Sequence, residues 1–372
     1  MAFGQRLNRA VIRTLGVVLL AYAGSSAVSL KTMAQEAKAP EETKKPATKS
    51  PAGKAKAKLP PVETVEMVTS DGVRLQADYY KGTNGKKTVP IIIVHSSKTD
   101  RNGYRALALA LQNAGHAVII PDLRGYGEST KLAMGGEISK EKLPPAEYGK
   151  MVAIDMVKTK QFLRFKNNAG ELNLNQLCVI GVGDLGSVVA VNFAFFDWFL
   201  TKEYPRVKMS KDVRGLIIVS PEPNFKILQF PKPLQALMNG QDTSIENVAG
   251  DPEKSTQRLS MFFVAGAGKP GAKSKPAEWR SAKSYADQVA KVHPEVERNA
   301  EELRQNQTVF FGEMPTSLQG PDLLKGEQLQ MQVSVEPFEP NALQAMIELF
   351  IDWRLTSKLE DFPWSERKLP GE

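Results

Sequence analysis

From residue 62 onward the apolar positions fall in short blocks whose spacing alternates between strand-like and helix-like. Residues 62–69 and 73–80 alternate around Ser70-Asp71-Gly72, which predicts a β-hairpin. The continuous apolar run at 88–95 (TVPIIIVH) predicts a strand buried on both faces. Residues 104–113 carry helical spacing and are stopped by Gly115. A second buried strand follows in HAVIIP and runs into the Gly-rich turn DLRGYGEST. The pattern then predicts an amphipathic helix at 147–166, a third buried strand at 176–182, a sharp turn at 183–186 and an apolar helix at 187–200. Further strands are expected at 213–219, 259–265 and 307–311, and a last amphipathic helix at 341–355. Residues 225–258, rich in Pro, Gly, Asn and Asp, show no clean period and read as an insertion or lid. This alternation predicts an α/β protein with a mainly parallel central sheet, helices on both faces, and ligands at the carboxyl ends of its strands.

The first 61 residues follow no such pattern. Arg6, Arg9 and Arg13 precede an uncharged stretch at 14–30, and small residues at Ala27 and Ala34 mark candidate cleavage sites. Residues 1–34 therefore read as a signal peptide, with an uncleaved membrane anchor as the alternative. The expected location is periplasmic or extracellular, or membrane-anchored if the signal is retained. Residues 35–61 are mostly Lys, Ala, Pro, Glu and Thr, too poor in apolar side chains to offset ordering, and read as a disordered linker. The folded domain is expected at 62–372.

Charge refines this picture. The formal net charge is +8, yet residues 1–34 and 35–60 each carry +4, so the remaining body is neutral. A neutral body lacks the basic footprint of a nucleic-acid binder, which excludes that partner class. The basic linker leaves association with an anionic cell envelope open. The single cysteine excludes a disulfide framework and multi-cysteine metal sites, and no cofactor or metal motif is read.

The segment VHSSKTDRNGYRALALALQNAGHAVIIPDLRGYGEST resembles the front half of the α/β-hydrolase superfamily, near its esterase, dienelactone-hydrolase and serine-aminopeptidase branches. In that family one strand ends in His-Gly and the next in Asp-x-Arg-Gly-x-Gly-x-Ser. Residues Asp122 to Ser129 match the second signature, while His95 is followed by Ser96 instead of Gly. The resemblance covers about residues 62–357, and 176–200 then occupies the place of the nucleophile elbow.

The chain departs from the family at each catalytic position. Matching Gly186 to the trailing glycine of G-x-S-x-G puts Asp184 in the nucleophile place. An aspartate there resembles haloalkane dehalogenases and epoxide hydrolases, whose mechanism still needs a histidine to activate water. The chain has three histidines. His95 ends a buried strand, His116 enters one, and His293 precedes the last strand. The loop after that strand, GEMPTSLQGPDLLKG, where the family keeps its base, contains none. Lys269 stands where the acid is expected, with Glu222 as a substitute and Glu313 as a candidate partner for Asp184. By resemblance the oxyanion donors would be the backbone N–H groups of Ser97 and Leu185, next to Ser96. The aromatic run Phe193, Phe195, Phe196, Trp198 and Phe199 is expected in the core, with a lipid-facing patch as the alternative.

Three readings follow. The first is an exported α/β-hydrolase-fold protein that has lost triad catalysis and binds a small-molecule or protein ligand in the inherited cleft. The second is an active hydrolase of ester, lactone or peptide bonds using rearranged residues around Asp184. The third is a structural, envelope-associated role. Asp184, at a helix start, can cap the helix, attack an electrophilic carbon, or orient a cationic or hydroxylated ligand.

Overall fold

The computed structural model describes residues 59–200, 207–240, 259–292 and 307–369. The proposed signal peptide, nearly all of the linker, His293 and residues 241–258 of the expected lid lie outside the described residues. The hairpin forms as expected from β1 (Val62–Val68) and β2 (Val73–Tyr80), and Gly72 supplies the positive φ of its turn. The buried runs become β3 (Pro90–Val94), β4 (Ala117–Pro121), β5 (Leu177–Val182), β6 (Val213–Val219), β7 (Ser260–Gly266) and β8 (Val309–Met314). Their order in the sheet is β1-β2-β4-β3-β5-β6-β7-β8. Pairing is antiparallel through β1, β2 and β4, then parallel from β4 to β8.

Alternating side chains of each strand feed two cores. Ile91, Ile93, Ile180 and Ile217 pack under α1 (Arg105–Asn113), whose Leu107 and Leu111 are fully buried. Ile92, Val94, Val179 and Leu216 pack on the other face. That face is covered by α3 (Val157–Asn168), α4 (Gly183–Phe195), α5 (Pro231–Gly240) and α6 (Ala277–Val292), while α7 (Leu343–Arg354) joins α1 on the first. A short α2 (Pro145–Lys150) leads into α3 through a π-helical turn, Met151–Met156.

Two expectations change. The helix expected from residue 187 starts at Gly183, directly on the end of β5. The described part of the expected lid contains α5, whose Leu234 and Leu237 are core residues. Of the aromatic run, Phe193 is buried, Trp198 is half-buried and donates Nε1–H to the Val213 carbonyl at 2.9 Å, and Phe199 alone is exposed. The core reading holds.

The chain after α7 forms a strap across the start of β5. Asn173 and Asn167 donate side-chain N–H groups to the carbonyls of Phe362 and Ser365 at 2.8 and 2.9 Å, and Asn175 does the same to Pro363. Arg367 ends the strap with both Nη groups on the Asp212 carboxylate, at 2.7 and 2.6 Å. No described helix is long and apolar enough to cross a membrane.

Candidate functional site

The elbow is set by two close approaches and one unusual dihedral. A Cβ at Gly181 would lie 2.6 Å from both the Ala190 Cβ and the Gly186 carbonyl oxygen, so α4 packs against β5 with no room for a side chain. A Cβ at Gly186 would meet the Val94 carbonyl oxygen at 2.2 Å. Between them Gly183 takes φ +66°, the left-handed conformation in which a nucleophile elbow lifts its side chain above the sheet. A Cβ there would face Ser96 Cβ at 3.0 Å and Pro321 Cδ at 3.7 Å, between the loops after β3 and β8.

The seat of the nucleophile is therefore Gly183, one residue before Asp184. The sequence register, anchored on Gly186, put Asp184 at this place, whereas the left-handed φ falls on Gly183. Asp184 is the following residue, the one whose backbone N–H belongs to an oxyanion hole. A glycine in the seat offers no nucleophile.

The Asp184 carboxylate instead turns onto the neighbouring donors. Its Oδ1 accepts the Ser97 N–H at 2.9 Å and the Leu185 N–H at 2.7 Å, and its Oδ2 accepts the Ser97 hydroxyl. Both backbone donors named from the sequence register are thus taken by the Asp184 carboxylate. With Gly183 at the elbow, only the Ser97 N–H among them remains a candidate oxyanion donor, the other being the Asp184 N–H. The Ser96 N–H donates to the Tyr104 hydroxyl at 3.0 Å, so it too is engaged.

No imidazole serves this site among the described residues. His95 is fully buried, accepts the Leu123 N–H on Nε2 at 3.0 Å and directs Nδ1 to the Ser96 carbonyl at 2.9 Å. Those partners fix the neutral tautomer with its proton on Nδ1, and burial lowers the ring's pKa, so it is a structural residue. His116 is buried at the start of β4. In the loop after β8, Gln319 holds the ends of two strands. Its Oε1 accepts the Ser220 hydroxyl at 2.8 Å and the Gly266 N–H at 3.2 Å, and its Nε2 donates to the Gly266 carbonyl at 2.7 Å. Gly320 then passes over Gly183.

Of the substitute acids, Glu222 lies in the cleft and Glu313 does not. Burial, followed by the facing carboxylates of Asp184 and Glu278, raises the Glu222 pKa against the pull of Lys98. Glu313 pairs with Lys275 at 3.0 Å and accepts the Trp279 Nε1–H at 2.9 Å, lining a different cavity, so the Asp184–Glu313 pairing is not made. Lys269 is exposed and absent from the cleft lining. The cleft holds about 60 Å³, bounded by Ser96, Lys98, Asp184, Glu222, Glu278 and Asp322 together with the Gln319 loop. No group of three or more His, Cys, Asp or Glu among the described residues is placed to hold a metal ion.

Gly183, Lys98, Glu278 and Gln319 were not singled out by sequence reasoning. Gly183 had a signal, since counting from the leading Gly181 puts it in the seat. The Asp122–Ser129 signature also has a structural explanation. Asp122 accepts the Arg101 and Glu128 N–H groups at 2.8 and 2.9 Å, and the buried Arg124 joins Asp155, Asp71 and Glu147 at 2.7, 2.8 and 2.6 Å.

Strand order, crossovers and elbow together define the α/β-hydrolase fold. No family model matches the chain. A segment of 77 residues, 21% of the chain, is 34% identical to uncharacterized proteins from two strains of Mycobacterium tuberculosis, and the match spans 27% of their length. Among solved structures, an esterase of Pyrococcus furiosus matches at 16% identity and TM-score 0.46, covering 80% of this chain and 92% of that one. An α/β serine hydrolase homologue from Coxiella burnetii matches at 15% identity and TM-score 0.33, covering 61% and 82%. The fold assignment rests on the chain's own topology.

Proposed function

We propose that this chain is an exported α/β-hydrolase-fold protein that binds a ligand in the inherited cleft and does not turn over esters, lactones or peptides by triad chemistry. The observation that carries this reading is the glycine with the elbow's left-handed φ beside a carboxylate that holds the Ser97 N–H and hydroxyl. Losing the triad members leaves at most the contribution of oxyanion hole and binding, and here the Ser97 donor is already taken by the Asp184 carboxylate. The narrow, carboxylate-rimmed cleft suits a small polar group, whether a free molecule or a side chain of a protein partner. The active-hydrolase alternative requires Asp184 to leave three hydrogen bonds before acting, with no imidazole among the described residues to complete the cycle.

The test is a panel of ester, lactone and aminopeptide substrates with a fluorophosphonate label. The expected result is no labelling and no multiple-turnover hydrolysis. Steady turnover that disappears in Asp184→Ala would overturn the reading and establish the rearranged hydrolase.

A further inference from the structure

A second cavity lies at the opposite end of the sheet from Asp184, beside the starts of β5 and β6. It holds about 420 Å³, within the ~300–1,000 Å³ range of small-molecule sites. Its lining is mainly apolar, from Val157, Leu174, Phe193, Phe196, Met209 and Leu369. The polar remainder of the wall is Lys160, Gln161, Arg164 and Arg367.

The charges of that wall are matched within the protein. Lys160 bridges Asp197 and Asp212 and donates to the Met209 carbonyl at 2.7 Å. Arg367 holds Asp212 and Asn175 through its two Nη groups, and Arg164 donates Nη1 to the Arg367 carbonyl at 3.1 Å. An anionic head would have to take these cations from Asp197 and Asp212, and a cationic head would meet three like charges. Gln161 differs from its neighbours. It lies one helical turn from Val157 on α3 and is half-buried, and among the described residues its amide has no hydrogen-bond partner. The wall therefore offers an uncharged donor and an uncharged acceptor beside an apolar surface. A hydroxyl, which donates and accepts, complements both.

We propose that this cavity binds a neutral aliphatic alcohol, with its hydroxyl paired to the Gln161 amide and its alkyl tail against Leu174, Phe193 and Phe196. Affinity then comes from apolar burial and discrimination from the absence of a free charge on the wall. The site shares no lining residue with the Asp184 cleft, so either reading can fail without the other.

The experiment is isothermal titration of the full chain with hexanol, octanol and decanol, and with decanoate and decyltrimethylammonium as charged counterparts. Two variants accompany it: Val157→Trp, which places bulk at a partly exposed lining position, and Gln161→Leu, which removes the amide at similar size. The expected result is saturable alcohol binding that tightens about fourfold per added methylene. Decanoate and decyltrimethylammonium should bind at least about tenfold more weakly than decanol. Val157→Trp should weaken decanol at least about tenfold, and Gln161→Leu about two- to tenfold, at unchanged melting temperature. Absence of saturable decanol binding, decanoate binding as tightly as decanol, or unchanged affinity in either folded variant would each overturn the proposal. If Val157→Trp does not fold, the Gln161→Leu arm and the alcohol series decide.

Discussion

Acid should destabilise the fold through His116, and the size of the effect follows from its surroundings. The ring is 7% exposed and its Nδ1 has no hydrogen-bond partner. Burial lowers its pKa from an ordinary 6.5 to about 4. The folded state therefore resists a proton that the unfolded chain accepts. Stability is fully present above the unfolded value, declines as pH falls below it, and levels off once pH passes the folded value. At ~1.36 kcal/mol per pH unit, the interval from 6.5 to about 4 is worth about 3 kcal/mol. His95, also held neutral by burial, adds a loss of the same sign, so the two must be separated by mutation. His116→Phe removes the titrating group without breaking a side-chain hydrogen bond at Nδ1. Urea denaturation of both proteins at near-neutral and acidic pH measures the difference. The variant should gain about 3 kcal/mol relative to the wild type by about pH 4, while their relation near neutrality sets the baseline. Parallel stability–pH curves for the two proteins would refute the reasoning.

Arg367→Met should cost about 3–5 kcal/mol in chemical denaturation, because it strips a buried cation from a buried carboxylate; a loss below about 1 kcal/mol would contradict the role given to the strap. Gly186→Ala should cost at least about 1–3 kcal/mol, since the new Cβ would sit 2.2 Å from backbone oxygen, whereas Gly103→Ala, with its nearest neighbour at 3.4 Å, should cost much less. Intact-mass analysis of the protein from its native host should find a chain beginning after Ala27 or Ala34 outside the cytoplasm; a full-length cytosolic product would count against the signal-peptide reading.

The strands were legible because they are buried on both faces, which leaves runs such as PIIIV and LCVIGV with few alternatives to a central parallel position. The elbow was legible as an elbow but ambiguous by one residue, since Gly181, Gly183 and Gly186 permit two alignments. Backbone dihedrals, which the letters do not encode, decide between them. That the loop after β8 carries no histidine was visible in the sequence, while the tie that Gln319 makes was not, because its partners Ser220 and Gly266 lie at the ends of other strands. Glu313 entered as a candidate from chemistry alone and is excluded by position. α5 was obscured by a Pro- and Gly-rich neighbourhood whose apolar face is apparent only against α4 and α6.

The strap also has a consequence in time. Residues 362–367 emerge from the ribosome after every strand of the sheet, yet they carry the arginine that the buried Asp212 awaits. Until then Lys160 and Lys208 are its only cationic partners in the described structure. The strap's contacts to α3, to Asn173 and to Asp212 therefore all join segments far apart in sequence, pairings whose loop-closure entropy is met late in folding. The Asp212 carboxylate thus gains its bidentate partner only when these late residues fold back beside the start of β6.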